Sequence, residues 1–138
     1  MSTVVLDAGV AIGFLDSDDA HFADAHAALA KLAAAGDQVL MSAVTLAEVM
    51  VDPMRSGEQR VQEVLAALHD YLAVQFVGID AVAALEIAAA RAQHPHLKLP
   101  DAAVVAAAKV AGADAILTTD RDFESVDSAV RLEDFVKN

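Results

Sequence analysis

Three aspartates stand where an open α/β sheet can gather them. Asp101, in Leu99-Pro100-Asp101-Ala102-Ala103, opens an apolar helical run, while Asp7 ends Val4-Val5-Leu6 and Asp120 ends Ile116-Leu117-Thr118-Thr119. Ligands of such sheets bind outside the carboxyl ends of the strands, so acids that end strands far apart in the chain converge on one pocket. Carboxylates crowded together repel, and a hard divalent cation relieves them. Magnesium or manganese fits best: each prefers oxygen ligands, keeps several waters and takes a few carboxylates plus a substrate phosphate. The chemistry expected of such a site is activation of water and stabilisation of charge on phosphoryl oxygens. One ion or two is left open.

A fourth acid joins them if Ser42-Ala43-Val44-Thr45-Leu46-Ala47-Glu48-Val49-Met50 is helical. Val44, Ala47 and Val51 then mark the apolar stripe, and Glu48 falls beside it, one turn after Val44. Its carboxylate reaches the pocket from a side that the strand-end acids do not cover.

The elements that must position these residues alternate between strand and helix, the pattern of a parallel sheet with crossover helices. Strands are expected at Thr3 to Leu6, Gln38 to Met41, Val74 to Val77 and Ala115 to Thr118, with a short fifth at Val130 to Leu132. Between them, Ala8 to Leu15 suits a short helix, and Phe22, Ala25, Ala28, Leu29 and Leu32 recur at helical spacing until Gly36, a C-cap. Ala43 to Val51 reads as a helix stopped by Pro53, and Ser56 with Gln59 as a capping box before a helix with Val61, Val64, Leu65, Leu68 and Leu72 on one face. Asp80 caps Ala81 to Gln93, and Ala102 to Ala111 runs to Gly112. No repeat, linker or low-complexity tail divides the 138 residues, so one domain is expected over 1–138.

Composition narrows the class further. There is no Cys, which removes disulfides and zinc-thiolate sites. The hydrophobic fraction is 57%, yet charged or His residues interrupt every apolar run before about 18 residues, and the N-terminus reads straight into a strand rather than as a signal peptide. A helix-rich, cytoplasmic protein with no membrane association is expected. The formal charge of −12, with only nine Lys and Arg, gives no global attraction to nucleic acid. A phosphate substrate then depends on bound cations and a few basic side chains at the rim; the alternative is a basic protein partner.

Val4-Val5-Leu6-Asp7, Ser42-Ala43-Val44-Thr45-Leu46-Ala47-Glu48, Leu97-Lys98-Leu99-Pro100-Asp101-Ala102 and Leu117-Thr118-Thr119-Asp120-Arg121-Asp122-Phe123 together resemble the PIN-domain ribonucleases. In particular they resemble the VapC toxins of bacterial toxin-antitoxin pairs, over essentially the whole chain. The resemblance implies a three-layer α/β/α sandwich on a central parallel sheet of four to five strands. It also implies a magnesium- or manganese-dependent endoribonuclease leaving 5′-phosphate and 3′-hydroxyl ends on tRNA or rRNA. Asp7, Glu48, Asp101 and Asp120 match the metal-site acids, and Asp122 matches a further acid that supports the site in some relatives. Glu48 is either a ligand or a water-orienting base. The implied partners are a VapB-like antitoxin seated in an apolar groove and a second copy of the chain as a homodimer; the apolar faces of Val44 to Met54 and Val61 to Leu72 can serve either. One departure stands out. Many relatives carry Ser or Thr just after the first Asp, where this chain has Ala8 and Gly9, so an orienting hydroxyl must come from Thr118, Thr119 or Ser42.

Other residues carry weaker signals. His94 and His96 flank Pro95 without a third ligand and read as surface-loop histidines. Arg91 and Lys98 lie on either side of that loop, as phosphate contacts or as solvated charges. Arg121 contacts either substrate or a neighbouring acid, while Tyr71 and Phe76 fall where core packing is expected. A phosphoacceptor domain would show adjacent acids after the first strand, and a haloacid-dehalogenase-type phosphatase an Asp where Gly9 stands. The remaining competitor is a catalytically silent PIN module that binds RNA or a protein.

Overall fold

The computed structural model describes residues 1–138. Five parallel strands, β1 (Thr3–Leu6), β2 (Gln38–Ser42), β3 (Gln75–Val77), β4 (Ala115–Thr118) and β5 (Ala129–Arg131), form one sheet in the order β3-β2-β1-β4-β5. Strand order reverses between β1 and β4. That is the switch point at which ligands of open parallel sheets bind, and Asp7 and Asp120 follow the two strands that flank it.

Period-two alternation explains the three layers. Val4, Leu6, Val39, Met41 and Leu117 face one core, shared with α1 (Ala8–Leu15), α2 (Phe22–Ala35) and the Val64–Leu68 region, while Val5, Leu40 and Ile116 face the other. The second face is covered by α7 (Leu99–Ala111), which α6 (Ala81–Gln93) backs. Buried Ala102, Ala103 and Ala106 lie between these helices, and Ala107 and Ala108 against the sheet, so α7 packs closely on both sides. Phe123 and Leu117 are fully buried, each worth roughly 2–3 kcal/mol of apolar transfer. No helix is long and apolar enough to cross a membrane.

Several expectations are corrected. The helix from Ala43 does not run on to Pro53: α3 (Ala43–Val49) ends, and Pro53 lies in the first turn of α4 (Val51–Ser56), where its missing N–H removes no helical bond. On α3 the buried stripe is Thr45 and Val49, whereas Ala47 and Val51 are exposed. Ser56 does not cap α5 (Glu58–Ala66), since Gly57 holds that position at φ 116 and the Ser56 hydroxyl bonds back to the Asp52 carbonyl at 3.1 Å. Beyond α5 a π-helical turn, Ala67–Tyr71, widens the coil. Tyr71 and Phe76 are not core residues: Tyr71 protrudes from that turn, 74% exposed, and Phe76 lies on the sheet's edge strand, 41% exposed. α7 begins at Leu99, and a last helix, α8 (Leu132–Lys137), follows β5 directly.

Candidate metal centre

Each acid is delivered by a different local rule. Asp7 is the N-cap of α1 and accepts the Ala8 N–H at 2.8 Å through Oδ1, so one residue ends β1 and starts the helix. Asp101 lies in the first turn of α7, three residues after the N-cap Lys98, where the Lys98 backbone N–H favours its charged form. Asp120 caps the 3-10 helix Arg121–Ser125 by accepting the Asp122 N–H at 2.8 Å. Capping and convergence coexist here, because strand ends and helix starts meet at the carboxyl edge of the sheet.

Carboxylate oxygens of Asp101, Asp120 and Asp122 all lie within 4.8 Å of one another. Asp7 lies behind them, 6% exposed, and Thr118 joins the two sets: its hydroxyl donates to Asp7 Oδ2 at 2.7 Å and accepts the Asp120 N–H at 3.0 Å. Glu48, more exposed, lies on α3 within reach of the Asp7 and Asp101 charges. Three of the five sequence-selected acids therefore cluster directly, Asp7 is tied to them through Thr118, and Glu48 is near enough to feel the Asp7 and Asp101 charges.

Their electrostatics are those of charges held together without compensation. Burial pushes the Asp7 carboxyl above its ordinary value; the Thr118 and Ala8 bonds oppose this, and the Asp120 charge adds to it. Glu48 is raised by partial burial and then by Asp7 and Asp101. Asp101 is raised by burial, then by Asp7 and Asp120, against the pull of the Lys98 N–H, with Asp122 adding a smaller push. None of the protein's ion pairs involves these five acids. A cluster of oxygen donors with no protein cation suits a hard divalent ion by charge and by donor type.

The surroundings settle several secondary residues. Ser42 caps α3 by accepting the Val44 N–H at 3.2 Å, so Thr118 is the hydroxyl that orients the first Asp. Gly9 lies directly beneath the Thr119 hydroxyl, which occupies the place a Cβ would need. His94 and His96 are not idle loop residues: His94 Nδ1 lies 2.8 Å from Ser125 Oγ and His96 Nε2 2.8 Å from the Asp122 carbonyl, so the loop fastens the 3-10 helix that carries Asp122. Arg91 Nε donates to the Leu97 carbonyl at 3.3 Å, bracing the same loop. The sequence reading missed Arg131, whose register opposite Thr118 depends on where β5 starts.

A reversing parallel sheet with acids clustered at its switch point defines a class of metal-site α/β proteins. Within it, a model of the PIN domain matches residues 4–129, and the chain belongs to that family. No curated protein sequence matches the chain significantly. Among solved structures, a toxin-antitoxin complex from Klebsiella pneumoniae contains a chain 26% identical, with 94% of this chain and 97% of that one covered at a TM-score of 0.70. VapC20 of Mycobacterium tuberculosis, described as a sarcin-ricin-loop-cleaving toxin, is 18% identical over 91% and 95% of the two chains, TM-score 0.71. VapBC2 from Rickettsia felis, bound to a promoter DNA fragment, contributes a chain 13% identical over 94% and 96%, TM-score 0.68.

Proposed function

We propose that this chain is a divalent-metal-dependent endoribonuclease, the toxin of a VapBC-type toxin-antitoxin pair, with residues 1–138 forming one PIN domain. The observation that carries the chemistry is the gathering of Asp101, Asp120 and Asp122 in front of buried Asp7, with no basic side chain paired to any of them. Family membership and the likeness to a chain of a toxin-antitoxin complex support the biological role.

Asp7, Asp101 and Asp120, with Glu48 and Asp122 beside them, would hold magnesium or manganese. Bound there, the ion supplies a more acidic water and stabilises charge on the phosphoryl oxygens. The protein's own groups do the positioning. Thr118 and the Ala8 N–H fix both oxygens of Asp7, and the first turn of α7 carries Asp101. Glu48 enters from α3 either as a further ligand or as the base that orients the attacking water and takes its proton. Attack on an RNA phosphodiester then leaves a 5′-phosphate and a 3′-hydroxyl. The substrate is structured RNA of translation, tRNA or rRNA, in the cytoplasm, and a VapB-like antitoxin together with homodimerisation completes the complex.

Antitoxin-free protein incubated with total bacterial RNA and magnesium or manganese, beside Asp7→Asn and Asp101→Asn, tests this reading. Discrete cuts that vanish with chelator and in both variants are expected, and sequencing of the ends identifies the target. Intact RNA in every arm, with manganese still bound by calorimetry, would replace the toxin with a silent PIN module that binds RNA or protein.

A further inference from the structure

The acids explain how a metal is held but not how a chain of formal charge −12 holds RNA. Most basic side chains are occupied elsewhere: Arg60 donates to the Leu15 carbonyl at 3.0 Å, Lys31 to the Phe135 carbonyl at 3.0 Å, and Lys109 pairs with Glu86 at 3.0 Å. Arg131 is different. It ends β5 in register with Thr118, the residue that bonds Asp7. It lines a small cleft with Thr118, Asp120, Phe123 and Glu124, and a second one with Thr119, His21 and Asp24.

Its side chain is 24% exposed, its Nη2 lies 3.2 Å from Glu133 Oε1, and its buried Nε–H has no partner. A guanidinium carries five N–H donors in a planar fork suited to phosphate. Here the fork is held by packing beside the acids: Nε is enclosed, Nη2 faces Glu133, and the Nη1 donors are left for a phosphate. We propose that Arg131 receives an RNA phosphate adjacent to the one being cleaved, as a positioning residue of the same site; this rests on the ribonuclease reading above. The clefts on its two sides place that phosphate on the β4–β5 side of the acids, and the packing that encloses Nε fixes the fork's orientation. Arg121 and Lys98, both exposed and unpaired, lack that fixed orientation.

Cleavage kinetics on the mapped RNA target and binding of the same RNA in an Asp7→Asn background, titrated with salt, test the assignment. Each phosphate contact contributes about 0.7 to 0.9 to the slope of log affinity against log salt. Arg131→Gln is expected to flatten the slope by about that amount and to raise KM about tenfold, leaving kcat within about twofold. Arg131→Lys, which keeps the charge, should retain the slope and recover part of KM. Glu133→Gln, which breaks only the ion pair, should leave the slope unchanged. An unaltered slope and KM in folded Arg131→Gln, or equal losses in Glu133→Gln, overturns the proposal while leaving the nuclease intact. If Arg131→Gln does not fold, the Lys and Glu133 variants decide, since a purely structural ion pair requires both to fail together. A wild-type protein that neither binds nor cuts RNA removes the ribonuclease reading itself, and this assignment with it.

Discussion

Thr118 Oγ1 lies 2.7 Å from Asp7 Oδ2, joining positions 111 residues apart across the switch point of the sheet. The same hydroxyl accepts the Asp120 N–H at 3.0 Å, so one buried group orients two of the acids.

Thr118→Val keeps the shape of the side chain and deletes both bonds. Leaving the Asp120 N–H without its acceptor should cost about 1–3 kcal/mol of stability. If Asp7 holds the metal as proposed, loss of its outer partner should lower cleavage about 10- to 100-fold. The acid limb of the pH–rate profile should also move up, because the Thr118 bond is the main force holding the Asp7 carboxyl down. Denaturant melts and a pH–rate series check both; an unmoved limb would place the hydroxyl outside the site's electrostatics.

Asp7→Asn separates function from stability. The amide retains an oxygen for the Ala8 N–H but removes a buried negative charge from among like charges. Cleavage should fall by more than about a hundredfold, beyond the usual cost of losing an outer partner. In chelator, however, the variant should melt at a higher temperature than wild type. Paired thermal melts with EDTA and with manganese read this directly, and a less stable variant in EDTA would contradict the repulsion argument.

The pH dependence of stability follows from the same shifts. Asp7, Glu48 and Asp101 have carboxyls raised above their ordinary values, so between about pH 4 and the raised values the folded state holds protons that the unfolded chain has released. Their contribution is therefore full below the ordinary carboxylate range and is lost as pH rises through the raised values. Metal-free wild type should gain stability relative to Asp7→Asn as pH falls from 7 toward 5, and saturating manganese should remove most of that trend. At a hundredfold excess over its Kd, the ion should add about 2.7 kcal/mol. A wild-type-minus-variant difference that stays constant with pH would refute it.

Thr45 offers an independent check away from the acids. It is fully buried on α3 and its hydroxyl has no hydrogen-bond partner. Thr45→Val should therefore be neutral or stabilise by about 1 kcal/mol. A denaturant midpoint that falls instead would mean that the hydroxyl is hydrogen-bonded in the folded protein and would refute this account.

The parts of the fold legible in sequence were those set by local rules. β1, α1, the αL Gly36 that ends α2, Asp80 capping α6, and β4 lie where their residues place them. The acids were legible for the same reason: strand-ending Asp residues in a parallel sheet have one edge at which to meet. Pro53, Ser56 and the α3 stripe were misread because a short helix can restart within a turn, and because tertiary contact, rather than hydropathy, chose Thr45 for burial. Tyr71 and Phe76 were misread because an edge strand and a widened turn leave large side chains partly uncovered. Arg131 was hidden because a three-residue strand has no periodic signal, and moving its start by one residue changes which side chain stands beside Thr118.

The strand order also sets a time at which the site can exist. β1 is made first but lies between β2 and β4, so Asp7 waits through more than a hundred residues of synthesis before Thr118 and Asp120 arrive beside it. A growing polypeptide carries Asp7 and Glu48 early, yet without β4 it has neither the hydroxyl that orients the first acid nor the acid that completes the cluster. If the chain is the ribonuclease proposed above, its cutting power appears only once β4 and Asp120 have been made, and a copy arrested before that point is harmless to the RNA of the ribosome that is making it.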